Sequence, residues 1–118
     1  MTEDSILREK SYAFALRIIK AYQYLSTEQK EFVLSKQLLR SGTSIGASIR
    51  EARYAQSKAD FVHKLSIAIK EAGETEYWLM LLRDSKYIDD KVFESIASDC
   101  VELLKILTSS INTLKRNK

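Results

Sequence analysis

The sequence predicts an all-α protein, an antiparallel up-and-down left-handed four-helix bundle, on three observations. The chain has 118 residues with no proline and three glycines, and because both residues interrupt helices, their scarcity favours long helices. Apolar residues recur at intervals of three and four along four segments, which places them on one face of each helix. The links between these segments are short, which favours antiparallel neighbours, and the spacing predicts shallow left-handed crossings.

The first two predicted helices are separated by a short polar stretch. The first runs from about residue 5 to 25, with Asp4 or Ser5 as a cap that accepts a hydrogen bond from a free amide of the first turn. Thr27 is the expected cap of the second, which runs from about residue 29 to 54. Their apolar stripes are Leu7, Phe14, Ile18 and Leu25 in the first, and Leu34, Leu38, Ser41, Ile45, Ile49 and Ala52 in the second.

The third and fourth predicted helices carry longer stripes. The third begins near Ser57, which forms a capping-box-like pair with Asp60. The fourth begins near Asp89 or Asp90 and runs to about residue 114. Their stripes are Phe61, Leu65, Ala68, Ala72, Thr75, Leu79 and Leu82 in the third, and Phe93, Ile96, Cys100, Leu103, Leu107 and Leu114 in the fourth.

Length and composition bound the class of protein. At 118 residues the expectation is a single domain over residues 1–118. One cysteine, Cys100, rules out an intramolecular disulfide and favours a reducing, cytoplasmic setting. The N-terminus opens acidic and lacks the apolar core of a secretory signal, and no apolar run is long enough to cross a membrane. The formal net charge of +3 by itself indicates a nucleic-acid partner only weakly.

A run of small residues at 41–48 interrupts the bulk of the second helix. A phosphate-binding loop would need a preceding strand and a following Gly-Lys pair, and neither is present. The stripe stays in helical phase across the run, so a helix with one shaved flank is the better interpretation. Gly42 and Gly46 lie four apart on one side, where another helix can approach closely, and we place both at an oligomer interface. Each glycine inside a helix costs about 1 kcal/mol relative to alanine, which such a contact offsets.

The outward face of the second helix predicts a basic ridge. Lys36, Arg40 and Arg50 step by helical intervals opposite the apolar stripe, and Tyr54 ends the row; with Arg53 they are the candidate nucleic-acid-binding residues. Such a ridge can follow a phosphate backbone while the aromatic ring stacks on a base. The alternative is a solvated face whose charges pair with acidic residues on an adjacent helix.

The third helix carries apolar residues away from its predicted core face. Ile67, Trp78 and Leu81 would form an exposed apolar patch in a monomer. Because large aromatic residues are enriched at interfaces, self-association through this face is predicted. A core face broader than the stripe is the alternative.

No catalytic or metal-binding constellation is expected, and no cofactor. His63 is the single histidine and lies far in sequence from Cys100, whose place on the apolar stripe is typical of a buried, inert thiol. A di-iron site of the bundle type needs Glu-x-x-His pairs on two helices, which one histidine cannot supply.

The segment from residue 37 to 82 resembles a known family, the small four-helix-bundle proteins encoded within intervening sequences of bacterial 23S ribosomal RNA genes. The matching stretches are residues 37–47, 51–52, 57–61, 64–72 and 74–79. The resemblance implies a left-handed up-and-down bundle, commonly a homopentamer, and kinship with the nucleic-acid-binding accessory protein of diversity-generating retroelements. It supplies no catalytic residue. Many relatives have a proline near the start of the second helix that this chain lacks, so the resemblance does not define that link.

Two functions remain open. One is a non-enzymatic oligomer that associates with structured RNA or DNA through the basic ridge, by charge-driven binding that weakens with salt. The other is a protein-interaction module that recruits a protein partner and binds no nucleic acid. An enzyme is the weakest interpretation.

Overall fold

Four antiparallel helices account for most of the chain. The computed structural model describes residues 2–116 and contains, within that range, α1 (Glu3–Thr27), α2 (Leu34–Ala52), α3 (Lys58–Asp84) and α4 (Asp90–Arg116). They form an elongated body of 49 × 22 × 22 Å. The all-α prediction is confirmed.

Contacts between the helices establish their order. Each helix packs antiparallel against the next, and α4 returns against α1, so that α1 lies diagonally across from α3 and α2 across from α4. The ion pairs of Lys10 with Glu102 and of Arg17 with Asp99 show this register on the last pair, because the numbers rise on one helix as they fall on the other. The left-handed sense of the bundle stays a prediction.

The predicted stripes form the core. Apolar residues from all four helices are buried in one cluster, and the seam between α2 and α3 also holds a buried polar contact, in which Thr75 Oγ1 donates to Ser41 Oγ at 3.0 Å. Four stripe positions are only half-buried: Leu34, Phe61 and Phe93, which pack against the cluster, and Leu114.

Short polar side chains cap the helix starts. Ser57 caps α3 as predicted, because its hydroxyl accepts from the Asp60 amide at 3.0 Å. Asp89 does the same for α4, accepting from the amide of Val92 at 2.8 Å. For α1 the predicted caps Asp4 and Ser5 are wrong. Thr2 is the cap, and its hydroxyl accepts from the Ser5 amide at 3.1 Å.

The start of α2 differs from the prediction. Thr27 belongs to α1 instead of capping α2, and the link continues to Val33. Lys30 adopts a left-handed conformation with φ 55°, which ends helical continuity. The Glu31 carboxylate then takes the role of a cap and accepts from the amides of Leu34 at 3.0 Å and Ser35 at 2.7 Å.

Candidate nucleic-acid interface

The small-residue run remains helical and lies against α1. A Cβ atom added at Gly42 would stand 2.8 Å from Cγ1 of the fully buried Ile18, so this glycine is required for the contact. At Gly46 the nearest atoms belong to Ser11, at 3.4 Å. The predicted close approach of another helix is confirmed, and that helix is α1 of the same chain. A role of Gly42 and Gly46 in contacts between copies stays a prediction.

The same run leaves a shallow groove between α1 and α2, which we call the Arg8–Arg50 groove. Its volume is about 220 Å³. Small side chains form its floor because Thr43, Gly46 and Ala47 lack bulk. Arg8 and Tyr12 from α1 and Arg50 from α2 form its walls. Two arginines and an exposed tyrosine therefore border one concave surface.

Arg40 is not a free cation. Its guanidinium forms a two-point contact with the Glu74 carboxylate on α3, at 2.7 Å from Nη2 to Oε2, and lies 3.5 Å from Glu71. At this position the alternative interpretation is right, since the charge is paired with an adjacent helix. The ridge is therefore interrupted at its middle.

The remaining cations of the ridge are exposed. Lys36, Arg50 and Arg53 form no ion pair with any residue between 2 and 116. Tyr54 is 77% exposed beside them. The nearest acidic residue in sequence, Glu51, is bound to Lys64 at 3.2 Å. The positive charge thus concentrates at the C-terminal end of α2.

Two residues of this surface were not predicted from the sequence. Arg8 and Tyr12 belong to α1, and only its antiparallel packing on α2 brings them to Arg50. Arg8 has a long contact of 3.9 Å with Asp4, so its charge is weakly compensated. The signal that would have found them is their place near the start of α1, opposite the end of α2 in an antiparallel pair.

The predicted apolar patch on α3 is partly covered within the chain, and self-association through it stays a prediction. Ile67, Trp78 and Leu81 are half-buried, and Trp78 packs against the core. A core face broader than the stripe, the alternative, fits Trp78. Large apolar side chains that are exposed lie elsewhere, on α1 at Tyr12, Leu16 and Ile19 and on α3 at Tyr77 and Met80.

The described residues, 2–116, offer neither a reactive cysteine nor a cluster of metal ligands. Cys100 is buried, and its Sγ donates to the Ala72 carbonyl at 3.3 Å. Burial, with the nearby charges of Glu76 and Asp99, raises the pKa of this thiol to about 12, so it is not a thiolate near neutral pH. Within the described range no His, Cys, Asp or Glu residues cluster as metal ligands do. None of its helices is long and apolar enough to cross a membrane.

The fold and the cationic end of α2 define a small four-helix-bundle protein with a basic face. A family model described as 23S rRNA-intervening sequence protein matches residues 3–109. This match spans most of the chain, and the protein belongs to that family.

A solved structure is similar to this chain in both sequence and fold. A protein of unknown function from the S23 ribosomal protein family of Bacteroides thetaiotaomicron VPI-5482 is 57% identical in sequence, with a TM-score of 0.93. The alignment covers 94% of this chain and 99% of that one. Among curated proteins none matches this chain. The family is one of unknown function and is not a known enzyme family.

Proposed function

We propose that this protein is a non-enzymatic, oligomeric bundle that associates with structured RNA or DNA through α2. The observation that carries the proposal is the set of exposed cations without an ion pair in the described part of the chain: Lys36 and Arg50 on α2, and Arg53, which directly follows it. The name of the family, which refers to 23S rRNA, supports a nucleic-acid context.

The Arg8–Arg50 groove supports the phosphate contact. Arginine binds phosphate oxygens with two parallel N–H groups, and Arg8 and Arg50 approach the groove from opposite sides. Its floor of small side chains lets a backbone come close. Such contacts position a nucleic acid without reading its base sequence. Tyr12 and Tyr54, both exposed, are suited to stack on unpaired bases.

Self-association would multiply this surface. Each copy carries a formal net charge of +3. Among the exposed apolar residues are two stripes on different helices, Tyr12, Leu16 and Ile19 on α1 and Tyr77 with Met80 on α3. Because α1 and α3 are diagonal, the stripes face opposite sides of the bundle. Contact between two unlike surfaces generates rings when the rotation closes. We propose a homopentamer, with Ile67, Trp78 and Leu81 at the margin of the α3 stripe. Sedimentation that shows monomer alone would contradict it.

The nucleic-acid proposal is tested with a fluorescent RNA hairpin and a DNA hairpin of the same sequence. Arg50→Glu with Arg53→Glu removes the cationic end of α2, and binding at 50 mM salt should fall at least about tenfold because several phosphate contacts are lost together. Wild-type affinity should also fall steeply between 50 and 200 mM salt, on the order of tenfold or more.

The matched control is Lys91→Glu with Lys105→Glu, which makes the same change of charge on α4, diagonal to α2. This variant should keep most of the wild-type affinity. An equal loss in both variants would mean that net charge, not the α2 face, drives binding. Absence of binding in any salt would favour the second candidate, a module that recruits a protein partner, for which the seam between α1 and α4 offers an apolar surface.

A further inference from the structure

The seam between α1 and α4 is the loosest of the four in the bundle. These two helices make the least extensive contact of the neighbouring pairs. Long side chains bridge the gap, with Lys10 Nζ at 3.0 Å from Glu102 and Arg17 Nη1 at 2.7 Å from Asp99. Beneath these ion pairs apolar residues of both helices belong to the core, and at the surface the seam is open in two places.

Two cavities follow one another along this seam, and we call them together the α1–α4 groove. The larger, of about 720 Å³, lies where the second half of α1 meets the link between α3 and α4. The smaller, of about 260 Å³, continues along the seam, and Arg17 lines both. The walls of the larger cavity are mostly apolar, formed by Ala21, Tyr24, Tyr87, Ile88, Val92 and Ile96.

The rim of the larger cavity is positively charged. Lys20 and Lys86 are exposed and form no ion pair with any residue that the structure describes. The acidic residue of the lining, Asp89, is occupied in capping α4, where the helix dipole compensates its charge. Lys86 is held at the rim in a left-handed conformation with φ 71°, because the next amide, that of Tyr87, bonds back to Leu82 at 2.9 Å.

The shape and lining indicate what fits. From Val92 to Leu103 the groove follows α4 for about 17 Å at 1.5 Å per residue, which is about three helical turns. Polar side chains line the larger cavity beside its apolar walls, and they are mainly charged: Arg17, Lys20, Lys86 and Asp89, with Gln29. It offers aliphatic and aromatic walls for apolar side chains. Tyr24 and Val92, 46% and 42% exposed, would be covered by an occupant.

We infer that the α1–α4 groove binds an acidic amphipathic helix of a partner protein. Apolar side chains at one face of that helix fill the cavities, and carboxylates at its flanks pair with Lys20 and Lys86. This is the helix-in-groove mode of recognition. The inference gives the second candidate of the proposed function a site and a partner. This site is separate from the α2 face, which lies on the far side of α1, so peptide binding and nucleic-acid binding are tested by different variants.

The test uses a fluorescein-labelled 16-residue peptide with leucines on one helical face and glutamates at its flanks. Fluorescence anisotropy should show saturable binding to the wild-type protein. Lys20→Glu with Lys86→Glu should weaken it at least tenfold, and Val92→Glu should do the same by placing a charge on the apolar wall. Circular dichroism confirms that each variant is folded. Amide shifts in NMR spectra should move at residues 20–24 and 86–96.

Three controls make the result decisive. A scrambled peptide of the same composition and a version with lysines for glutamates should bind at least tenfold more weakly. Arg50→Glu with Arg53→Glu, the matched change of charge on α2, should leave peptide binding unchanged. The inference is overturned if the acidic peptide does not saturate, if Lys20→Glu with Lys86→Glu binds it equally well, or if a single-stranded oligonucleotide shifts the groove residues and the peptide does not.

Discussion

The two seams that α1 makes differ in how they are closed. Against α2, α1 packs on a flank of small residues, where the missing side chain of Gly42 lets the α2 backbone lie close to Ile18. Against α4, the contact is less extensive, and Lys10–Glu102 and Arg17–Asp99 bridge it at the surface. One seam is packed closely around a glycine, and the other carries exposed ion pairs over its part of the core.

The difference suggests that the two seams have different roles, the α1–α2 seam in stability and the α1–α4 seam in binding. Buried contacts are not screened by solvent, so the α1–α2 seam should hold much of the bundle together. Exposed ion pairs contribute little, so the α1–α4 seam can remain open and present a groove at small cost in stability. The chain thus places its open surface where the first and last helices meet, the one neighbouring pair that no short link joins.

The largest effect is expected at the tight seam. Gly42→Ala places a methyl group against the buried Ile18 and should lower the free energy of unfolding by about 1–3 kcal/mol, as overpacked cores do. This loss should appear even though alanine favours a helix by about 1 kcal/mol over glycine. Urea denaturation of the purified protein measures it.

Gly73→Ala is the matched control. Gly73 lies in the interior of α3, and a Cβ atom there would meet nothing within 4 Å. The same substitution should therefore raise stability by about 1 kcal/mol through helix propensity alone. If both alanine variants were stabilised alike, the α1–α2 seam would not be as tightly packed as the geometry indicates.

The next largest effect on stability is expected in the link between α1 and α2, residues 28–33. Glu31 is buried, and its carboxylate accepts from the first amides of α2. Glu31→Gln removes the charge and one acceptor, and the free energy of unfolding should fall by about 1 kcal/mol, as for the loss of a helix cap. Thermal or urea unfolding at pH 7 measures the change, with Glu28→Gln, an exposed neighbour, as the control expected near zero.

The same carboxylate predicts a pH dependence. Burial raises the pKa of Glu31, but the hydrogen bonds from Leu34, Ser35 and Val33 outweigh it and hold the pKa below its ordinary value of 4.5. A lowered pKa in the folded state stabilises the protein above pH 4.5, and this contribution is lost as the pH falls through the folded-state pKa. The stability difference between wild type and Glu31→Gln should therefore shrink from pH 6 to pH 3. A difference that is constant over this range would count against the capping role.

The smallest effect is expected at the open seam. Arg17 and Asp99 are 38% and 48% exposed, and a double-mutant cycle with Arg17→Ala and Asp99→Ala should give a coupling energy of about 0.5 kcal/mol. Salt at 1 M should reduce it further. A coupling above about 2 kcal/mol would show that the ion pair, and not the rest of the bundle, holds α1 to α4.

Most of the fold was predictable because helical periodicity depends on residues near each other in sequence. The core stripes and the Ser57 cap of α3 followed from spacing of three and four. The start of α2 did not, because a glutamate at residue 31 can cap a helix only when the backbone before it turns, here at Lys30 with φ 55°. The conformational preferences of the residues in this link do not predict that turn.

The candidate site was predictable only in part. Lys36 and Arg50 lie on α2, and Arg53 and Tyr54 lie in the turn that follows it. Because α2 ends only two residues before its predicted end at residue 54, the prediction could place these side chains near one another. Arg40 could not be assigned, since its partners Glu71 and Glu74 are over thirty residues away in sequence. Their proposed binding roles remain predictions for the hairpin experiment.

The sequence by itself determined the four helices and the face that each turns inward, because the interval of apolar residues is a property of a single helix. The tertiary structure alone decided which outward residues meet: Arg8 with Arg50, Arg40 with two glutamates, and Lys20 with Lys86 at the rim of one groove. The physical reason is that charges on different helices become neighbours only through packing, and packing depends on side-chain volume at buried contacts between helices such as that of Gly42 with Ile18.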